Sequence, residues 1–595
     1  MKEDLFKHLN KEQRLAVDYI DGPSVILAGA GSGKTRVLVY KVVNLIKFHK
    51  VDPSSIVMIT FTNKAANEMK ERIRKILPGE DGRLGYAGTF HSFCAMILRR
   101  EVNNCGLKKN FVIYDENDQL SLIKELLKKK EFDRYTPGYY LNRISSAKNQ
   151  LITPEKYLEI FSDYQAAHVA DLYFRYQKEL KNNNAVDFDD LIMIAVNLFI
   201  KEKQILEKYQ RYYRYLLVDE FQDTNYVQYL LTKLLGEKSK QVTVVGDFSQ
   251  SIYSWRGAEI KNLEKFIHDF PKVKVFHLEQ NYRSTQSILN FAYKIISRNQ
   301  THPILNLFTD RKTGEEVVFF ESGNEEDEAV YVANEIEKQS INLPHSSFAV
   351  LYRTNAQSRA IEEVFLHFGI PYMLVGGTRF YERKEIKDIL SYLRMLVNPK
   401  DTVAKERLIK LGKKRWTDFV EFYKKNSDKV NDFTTSELME KVFSATGYLK
   451  LYNPGDDEDY SRLENIKELK SVAISFPNLT EFLEQVALVE SEYFEGEKRA
   501  KNREGVRLMT LHQAKGLEFP VVFIVGVEEG ILPHSRSIED RYQIEEERRL
   551  FYVGITRAKE KLYITSARRR FIFGRRSETM KSRFLMESED DIVSF

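Results

Sequence analysis

Apolar and polar positions fall into blocks that recur in the same order twice along the chain. Glu12 to Tyr19 has the spacing of an amphipathic helix. The apolar run Ser24 to Leu27, bounded by Gly22 and Pro23, predicts a short buried strand. A glycine-rich stretch, residues 28–34, then runs into a helical pattern. Ile56 to Thr60 predicts the next strand, with polar FTNKAANEM after it. Strand, glycine loop, helix and strand form the βαβ pattern of a parallel sheet. Tyr215 to Val218 ends in Asp219 and Glu220, and Gln241 to Val245 ends in Gly246 and Asp247. Both predict further strands. A charged, helix-rich stretch, about 109–184, lies between these blocks and reads as an insertion. In the second half, Glu316 to Glu321, Phe348 to Tyr352, Val521 to Val525 and Leu562 to Thr565 predict strands. A second charged helical stretch, about 379–503, interrupts them, and NPGDDEDYS (453–461) within it predicts a loop. The reading is two α/β cores, each interrupted by a helical insertion.

Composition narrows the class. The chain has 595 residues, 43% hydrophobic and 30% charged, enough apolar surface for several cores. At roughly 150 residues per domain, about four domains, or fewer and larger ones, are expected. Cys94 and Cys105 are the two cysteines, which excludes a disulfide framework and a four-cysteine zinc site. The net charge of +5 permits a nucleic-acid partner without requiring one. The opening MKEDLFKHLN has no apolar signal core, and no stretch of about 20 apolar residues follows. The expectation is no membrane and a cytoplasmic location.

Three segments carry phosphate chemistry. In Ala28-Gly29-Ala30-Gly31-Ser32-Gly33-Lys34-Thr35, the position where the phosphate-loop pattern wants its first glycine is Ala28. The chemistry survives. Gly29, Gly31 and Gly33 let backbone N–H groups converge at a helix start, Lys34 can reach β and γ phosphates, and the Thr35 hydroxyl suits Mg²⁺. In LLVDEFQD (216–223), an apolar strand ends in two carboxylates. Asp219 is placed to hold Mg²⁺ directly or through water, and Glu220 to orient and deprotonate the attacking water. In GDFSQ (246–250), Gln250 senses either the γ phosphate or that water. Together they read as a nucleoside-triphosphate hydrolase.

Further blocks carry a resemblance: GTFHSF (88–93), SIYSWRGA (251–258), QNYRS (280–284), TLHQAKGLEFP (510–520) and RRLFYVGITRAK (548–559). With the phosphate loop and VDEFQD, the chain resembles the superfamily-one DNA helicases of the UvrD/Rep/PcrA type, in order from Leu9 to Leu585. The resemblance implies two RecA-like motor domains, 1A (1–108 and 185–281) and 2A (282–378 and 504–595). It also implies two inserted domains, 1B (109–184) and a shortened 2B (379–503). It implies ATP-driven 3′ to 5′ translocation on single-stranded DNA, unwinding at single-strand/duplex junctions, and repair or replication proteins as partners. Gln13 resembles an adenine-reading glutamine, Arg36 lines the base or sugar, and Tyr282 resembles an adenine-stacking ring. Arg283, from the second motor, and Arg557 resemble paired arginine fingers for the γ phosphate. Glu518 resembles a ribose-side carboxylate. Phe61 and Trp255 resemble base-stacking residues, with Tyr253 assisting. Thr89, His91, Arg256 and His512 are expected on DNA phosphates or sugars. The arginines 568, 569, 570, 575 and 576 either follow a phosphate backbone or solvate the last motor segment.

One departure bears on strand separation. Longer relatives carry a Gly-Ile-Gly element early in 2B, resembling a helix-hairpin-helix contact for duplex DNA. Here that region reads RLIKLGKKRWTDFVEF (407–422), where Gly412 with Lys413, Lys414 and Arg415 is the substitute. Two other readings stay open: a single-strand translocase that strips proteins and unwinds weakly, and a non-catalytic scaffold with a relic ATP site. An RNA motor is compatible with the same pocket.

Overall fold

Strands that read as continuous apolar runs do so because both their faces are covered. In the computed structural model, which describes residues 5–79, 83–128, 136–499, 505–572 and 575–589, the first sheet has six strands: β1 (Ser24–Ala28), β2 (Ile56–Thr60), β3 (Tyr86–Thr89), β6 (Tyr215–Val218), β7 (Val242–Gly246) and β8 (Lys274–Leu278). Their order is β3-β2-β6-β7-β1-β8, all parallel. Alternate residues feed two cores, as the strand period of two requires. Val25 and Leu27 pack into one, with Val57, Ile59, Leu216 and Val218. Ile26 and Ala28 pack into the other, with Ile56, Met58 and Leu217.

The pair β4 (Val112–Tyr114) and β5 (Ala185–Asp187) runs parallel and closes the base of the first insertion. Helices between them bury their own core around Tyr140, Tyr157, Tyr173 and Tyr176.

The second sheet contains β9 (Val318–Ser322), β10 (Phe348–Tyr352), β11 (Tyr372–Leu374), β12 (Val506–Thr510), β13 (Phe519–Ile524) and β14 (Ala558–Ala567). It is also six-stranded and parallel, ordered β11-β12-β10-β13-β14-β9. The helices from Lys384 to Arg499 form the second insertion, with a separate core including Tyr392, Phe419, Tyr448 and Phe482. A small antiparallel hairpin, β15 (Arg569–Ile572) and β16 (Arg575–Glu578), follows β14.

Compact units divide after Arg283. Residues 1–283 and 299–311 form the first, and 284–298 and 312–595 the second. Tyr282 and Arg283, read from sequence as part of the second motor, therefore group with the phosphate-loop unit. The expected boundary at 503/504 falls outside the described residues.

Two expectations need correction. Only the start of NPGDDEDYS is a loop. A helix, Asp457–Ser475, begins inside it, with Asp456 as N-cap accepting from the Glu458 and Asp459 N–H groups. Its run of acids sits where the positive end of the helix dipole favours negative charge. The late arginines are not a uniform basic strip. Arg570 is buried between Glu328 and Glu528, while Arg568 pairs with Glu321 at 2.7 Å. The side chains of the arginines at 575 and 576 lie outside the described residues.

Helix Lys11–Asp18, which carries Gln13, is pinned at its carboxyl end by helix Lys34–Lys47. Lys41 Nζ donates to the carbonyls of Ala16 (2.9 Å) and Tyr19 (2.6 Å), and Asn44 Nδ2 to that of Val17 (3.0 Å). Burial pulls the Lys41 pKa from 10.5 down to about 7, against the opposing pull of Asp18. Between those values the unfolded chain holds a proton that the folded chain sheds, so the contribution of Lys41 to stability rises with pH across that window. Lys41→Met removes this term. Melting curves at about pH 7 and about pH 10 should show the wild-type advantage growing by several degrees. A pH-independent difference would refute the assignment.

Candidate nucleotide site and nucleic-acid interface

Every candidate loop of the first unit leaves the carboxyl edge of one sheet, where open α/β sheets bind ligands. The phosphate loop follows β1, Asp219 and Glu220 follow β6, Asp247 to Gln250 follow β7, and Asn281 to Arg283 follow β8. These four strands are neighbours. Phe61 follows β2 and His91 follows β3 on the same edge.

In the phosphate loop, Ala28 is the fully buried last residue of β1, so its lack of glycine costs nothing there. Glycine is needed further on. A Cβ on Gly29 would meet Leu307 Cδ2 at 2.3 Å, and one on Gly31 (φ +66°) would meet Arg283 Cβ and Asn281 Nδ2 at 2.8 Å. Asn281 Nδ2 donates to the Ala30 carbonyl at 2.6 Å, and the Tyr282 N–H to that of Gly31 at 3.0 Å. Arg283 thus flanks the loop from its own unit. Ser32 Oγ donates back to the Gly29 carbonyl, and Gly33 caps the helix that begins Lys34-Thr35-Arg36.

Gln13 is fully buried. Its Nε2 donates to the Ser32 carbonyl at 2.8 Å and its Oε1 accepts from the Asn10 N–H at 3.1 Å. A base would share those atoms through their remaining proton and lone pair. Asn10 Nδ2 also donates to the hydroxyl of Tyr282 at 2.9 Å. The Tyr282 ring is 44% exposed, with the Arg36 guanidinium 5.9 Å from its centre. Gln13, Arg36 and Tyr282 are therefore brought together beside the loop.

Lys34 Nζ stands 4.0 Å from Asp247 Oδ2, and Gln250 Nε2 donates to that same oxygen at 2.6 Å. Asp219 is buried with Oδ1 lacking a hydrogen-bond partner. Burial and the neighbouring Glu220 push its pKa up to about 7, against the pull of Lys34. A buried carboxylate oxygen with an unused lone pair, one loop away from Thr35, fits a hard divalent cation. Glu220 has φ +51°, a left-handed conformation costly for a residue with a side chain.

On the nucleic-acid side, Trp255 is 54% exposed on a short 3₁₀ turn, not a core residue. The Arg256 guanidinium lies 4.5 Å from its ring and 5.7 Å from that of Tyr253. The three make one cluster, with Trp255 and Arg256 exposed and Tyr253 half-buried. Phe61 is half-buried and meets Phe90 edge-on at 5.9 Å. Thr89 caps helix Phe90–Arg100, its hydroxyl accepting from the Ser92 N–H, which leaves it less available to a phosphate than expected. Burial lowers the His91 pKa, so its imidazole is neutral near pH 7.

In the second unit, His512 leaves the carboxyl end of β12, whereas Glu518 and Arg557 stand at the amino ends of β13 and β14. Glu518 pairs with Lys559 at 2.8 Å. Arg557 is 1% exposed and donates to the Val553 carbonyl (2.9 Å), the Leu517 carbonyl (3.3 Å) and Thr556 Oγ1 (2.9 Å).

A family model for the UvrD/REP helicase N-terminal domain matches residues 9–271, and one for the UvrD-like helicase C-terminal domain matches 276–418 and 411–569. The chain belongs to the UvrD-like helicase family. It is similar to the ATP-dependent DNA helicase PcrA of Staphylococcus epidermidis, 43% identical over 99% of this chain and 87% of the relative. The proteins of the same name from Bacillus subtilis and Staphylococcus aureus are each 42% identical, over 100% and 99% of this chain and 87% of the relative.

Several residues of this candidate site are not legible from sequence. Asp247 ends an apolar strand as Asp219 does, and that signal was available. Phe188, 47% exposed, meets His91 edge-to-face at 5.7 Å, and an exposed aromatic beside acidic residues gave no warning. Leu307 belongs to a strap, residues 299–311, that returns to the first unit. Along it, His302 bonds Ser249 at 3.1 Å, Asp310 accepts from Gln280 at 2.5 Å, and Arg311 donates to the Arg283 carbonyl. No local motif marks it.

Proposed function

We propose that this UvrD-like chain is an ATP-dependent DNA helicase that moves 3′ to 5′ on single-stranded DNA and opens duplexes at junctions, in the cytoplasm, alongside repair or replication proteins. The observation that carries the reading is that one strand end, after β7, supplies both Asp247 and Gln250 to the nucleotide loop and Tyr253, Trp255 and Arg256 to an aromatic-basic cluster. A stretch of about ten residues thus joins hydrolysis chemistry to a stacking platform.

The proposed roles are those that the family resemblance suggests for these residues. Lys34 neutralises phosphoryl charge, and Gln13, Arg36 and Tyr282 hold the base and sugar. Thr35 and Asp219 would hold Mg²⁺, which when bound neutralises charge between the phosphates. Glu220 takes the proton of the attacking water, and Gln250 aligns that water or the γ phosphate. Arg283 and Arg557 are the proposed arginine pair for the transferred phosphoryl group, and Glu518 the ribose-side carboxylate. Phe61, Tyr253 and Trp255 stack bases, and His91, Arg256 and His512 touch the backbone, whereas the Thr89 hydroxyl is engaged in its helix cap. The test is ATP-dependent unwinding of matched duplexes with a 3′ or a 5′ tail. Opening of the 3′-tailed substrate alone is expected. Opening of only the 5′-tailed one would overturn the direction. ATP turnover indifferent to single strands would overturn the motor.

The substitute for the Gly-Ile-Gly element is a helix pair, Thr402–Lys410 and Lys413–Asn426, joined through Leu411 and Gly412, with Lys413 and Lys414 exposed. Its shortness favours a second reading, a translocase with weak unwinding. If the turn grips duplex phosphates, Lys413→Glu with Lys414→Glu should slow unwinding about tenfold and leave strand-stimulated ATP turnover within about twofold. Unchanged unwinding would remove the turn from the duplex contact.

A further inference from the structure

We infer that Gln222 is a positioning residue that couples the Glu220 carboxylate to the loop bearing Tyr253 and Trp255. The inference rests on the reading of Glu220 as the water-activating base and of the Trp255 cluster as the strand platform.

Gln222 is fully buried in the turn Phe221–Asp223. Its Nε2 donates to Glu220 Oε2 at 2.5 Å and to Asp223 Oδ2 at 3.2 Å, and its Oε1 accepts from the Asp247 N–H at 3.0 Å. An ionised carboxylate only accepts and a backbone N–H only donates, so these partners fix which way the amide points. The Gln222 backbone carbonyl accepts from Ser251 Oγ at 3.1 Å. One residue is therefore bonded to Glu220 on one side and to both ends of segment 247–251 on the other.

The two ends are stiff. Glu220 sits at φ +51°, a conformation that persists only where neighbours hold it. Beyond Ser251, Ile252 is fully buried, and the chain then passes through the half-buried Tyr253 to the exposed Trp255. A base stacking on that pair that shifts the backbone of 247–251 moves it against Gln222, which holds both the Asp247 N–H and Ser251 Oγ. Movement of the Asp247 end reaches Glu220 Oε2 through the Gln222 side-chain amide, and movement of the Ser251 end through the Gln222 backbone. Gly246 guards the contact, since a Cβ there would lie 2.6 Å from Gln222 Oε1.

The test is Gln222→Met, which keeps the length of the side chain and removes its hydrogen bonds, beside Gly246→Ala, which displaces Oε1 while leaving the amide in place. ATP turnover is measured with and without saturating oligothymidylate, together with the KM for ATP and oligonucleotide affinity by fluorescence anisotropy. The ratio of stimulated to basal turnover should fall about tenfold or more in Gln222→Met, and less in Gly246→Ala, with KM and affinity within about twofold of wild type. A purely structural glutamine would instead lower both rates together. Parallel loss of both rates, or an unchanged ratio, overturns the proposal. If Gln222→Met does not fold, Gly246→Ala decides alone. A wild-type enzyme that single strands fail to stimulate overturns the reading beneath it as well, whereas stimulation intact in wild type and variants overturns the coupling role only.

Discussion

Glu220→Gln should bind ATP and single-stranded DNA like wild type and turn over about 10²- to 10⁴-fold more slowly. The amide keeps the shape of the side chain, and its oxygen can still accept from Gln222, so the left-handed turn after β6 should persist. Basicity at the attacking water is what disappears. Asp219 keeps its buried, unpartnered oxygen and Lys34 its place near Asp247, so nucleotide affinity has no reason to fall. Single-turnover hydrolysis beside a fluorescent-nucleotide titration separates the two effects. A near-normal hydrolysis rate would take the base role from Glu220.

Trp255→Ala should weaken single-strand binding roughly 5- to 150-fold, the equivalent of about 1–3 kcal/mol for one lost stacking contact. The indole is about half exposed and is covered on one side by Arg256, so its removal opens no cavity in the core. The salt dependence of binding should stay as in wild type, because no phosphate contact is lost. Arg256→Ala should instead lower the slope of log affinity against log salt by about one. Affinity titrations at several salt concentrations distinguish them. Unaltered affinity in Trp255→Ala would move the platform elsewhere.

Strands buried on both faces were legible to the residue: Ile56–Thr60, Tyr215–Val218 and Phe348–Tyr352 all appear as read. Val112–Tyr114 and Tyr372–Leu374 escaped because three residues are too short a run to tell from a helix segment, and others lack a continuous apolar run. Tyr86–Thr89 is short and carries a glycine, Lys274–Leu278 lies at the sheet edge with partly exposed residues, and Val506–Thr510 is interrupted by Arg507. The loops of the candidate nucleotide site were legible because glycines and carboxylates punctuate the strand ends. What Gln222 and Leu307 do was not, because each acts through partners brought close only by folding. The acidic stretch after Gly455 misled for a physical reason, since the same residues that make a good loop also make a good helix start.

The strap has a practical corollary for anyone dissecting this molecule. Because the chain passes between its units three times, a recombinant fragment stopping at Arg283 would encode each catalytic group of the first unit and yet omit Leu307, leaving the flank of Gly29 bare. Such a truncation should prove sticky and poor at retaining nucleotide. A faithful isolated half would need residues 299–311 spliced back through an artificial linker, so the gene offers no single cut that yields a portable ATPase.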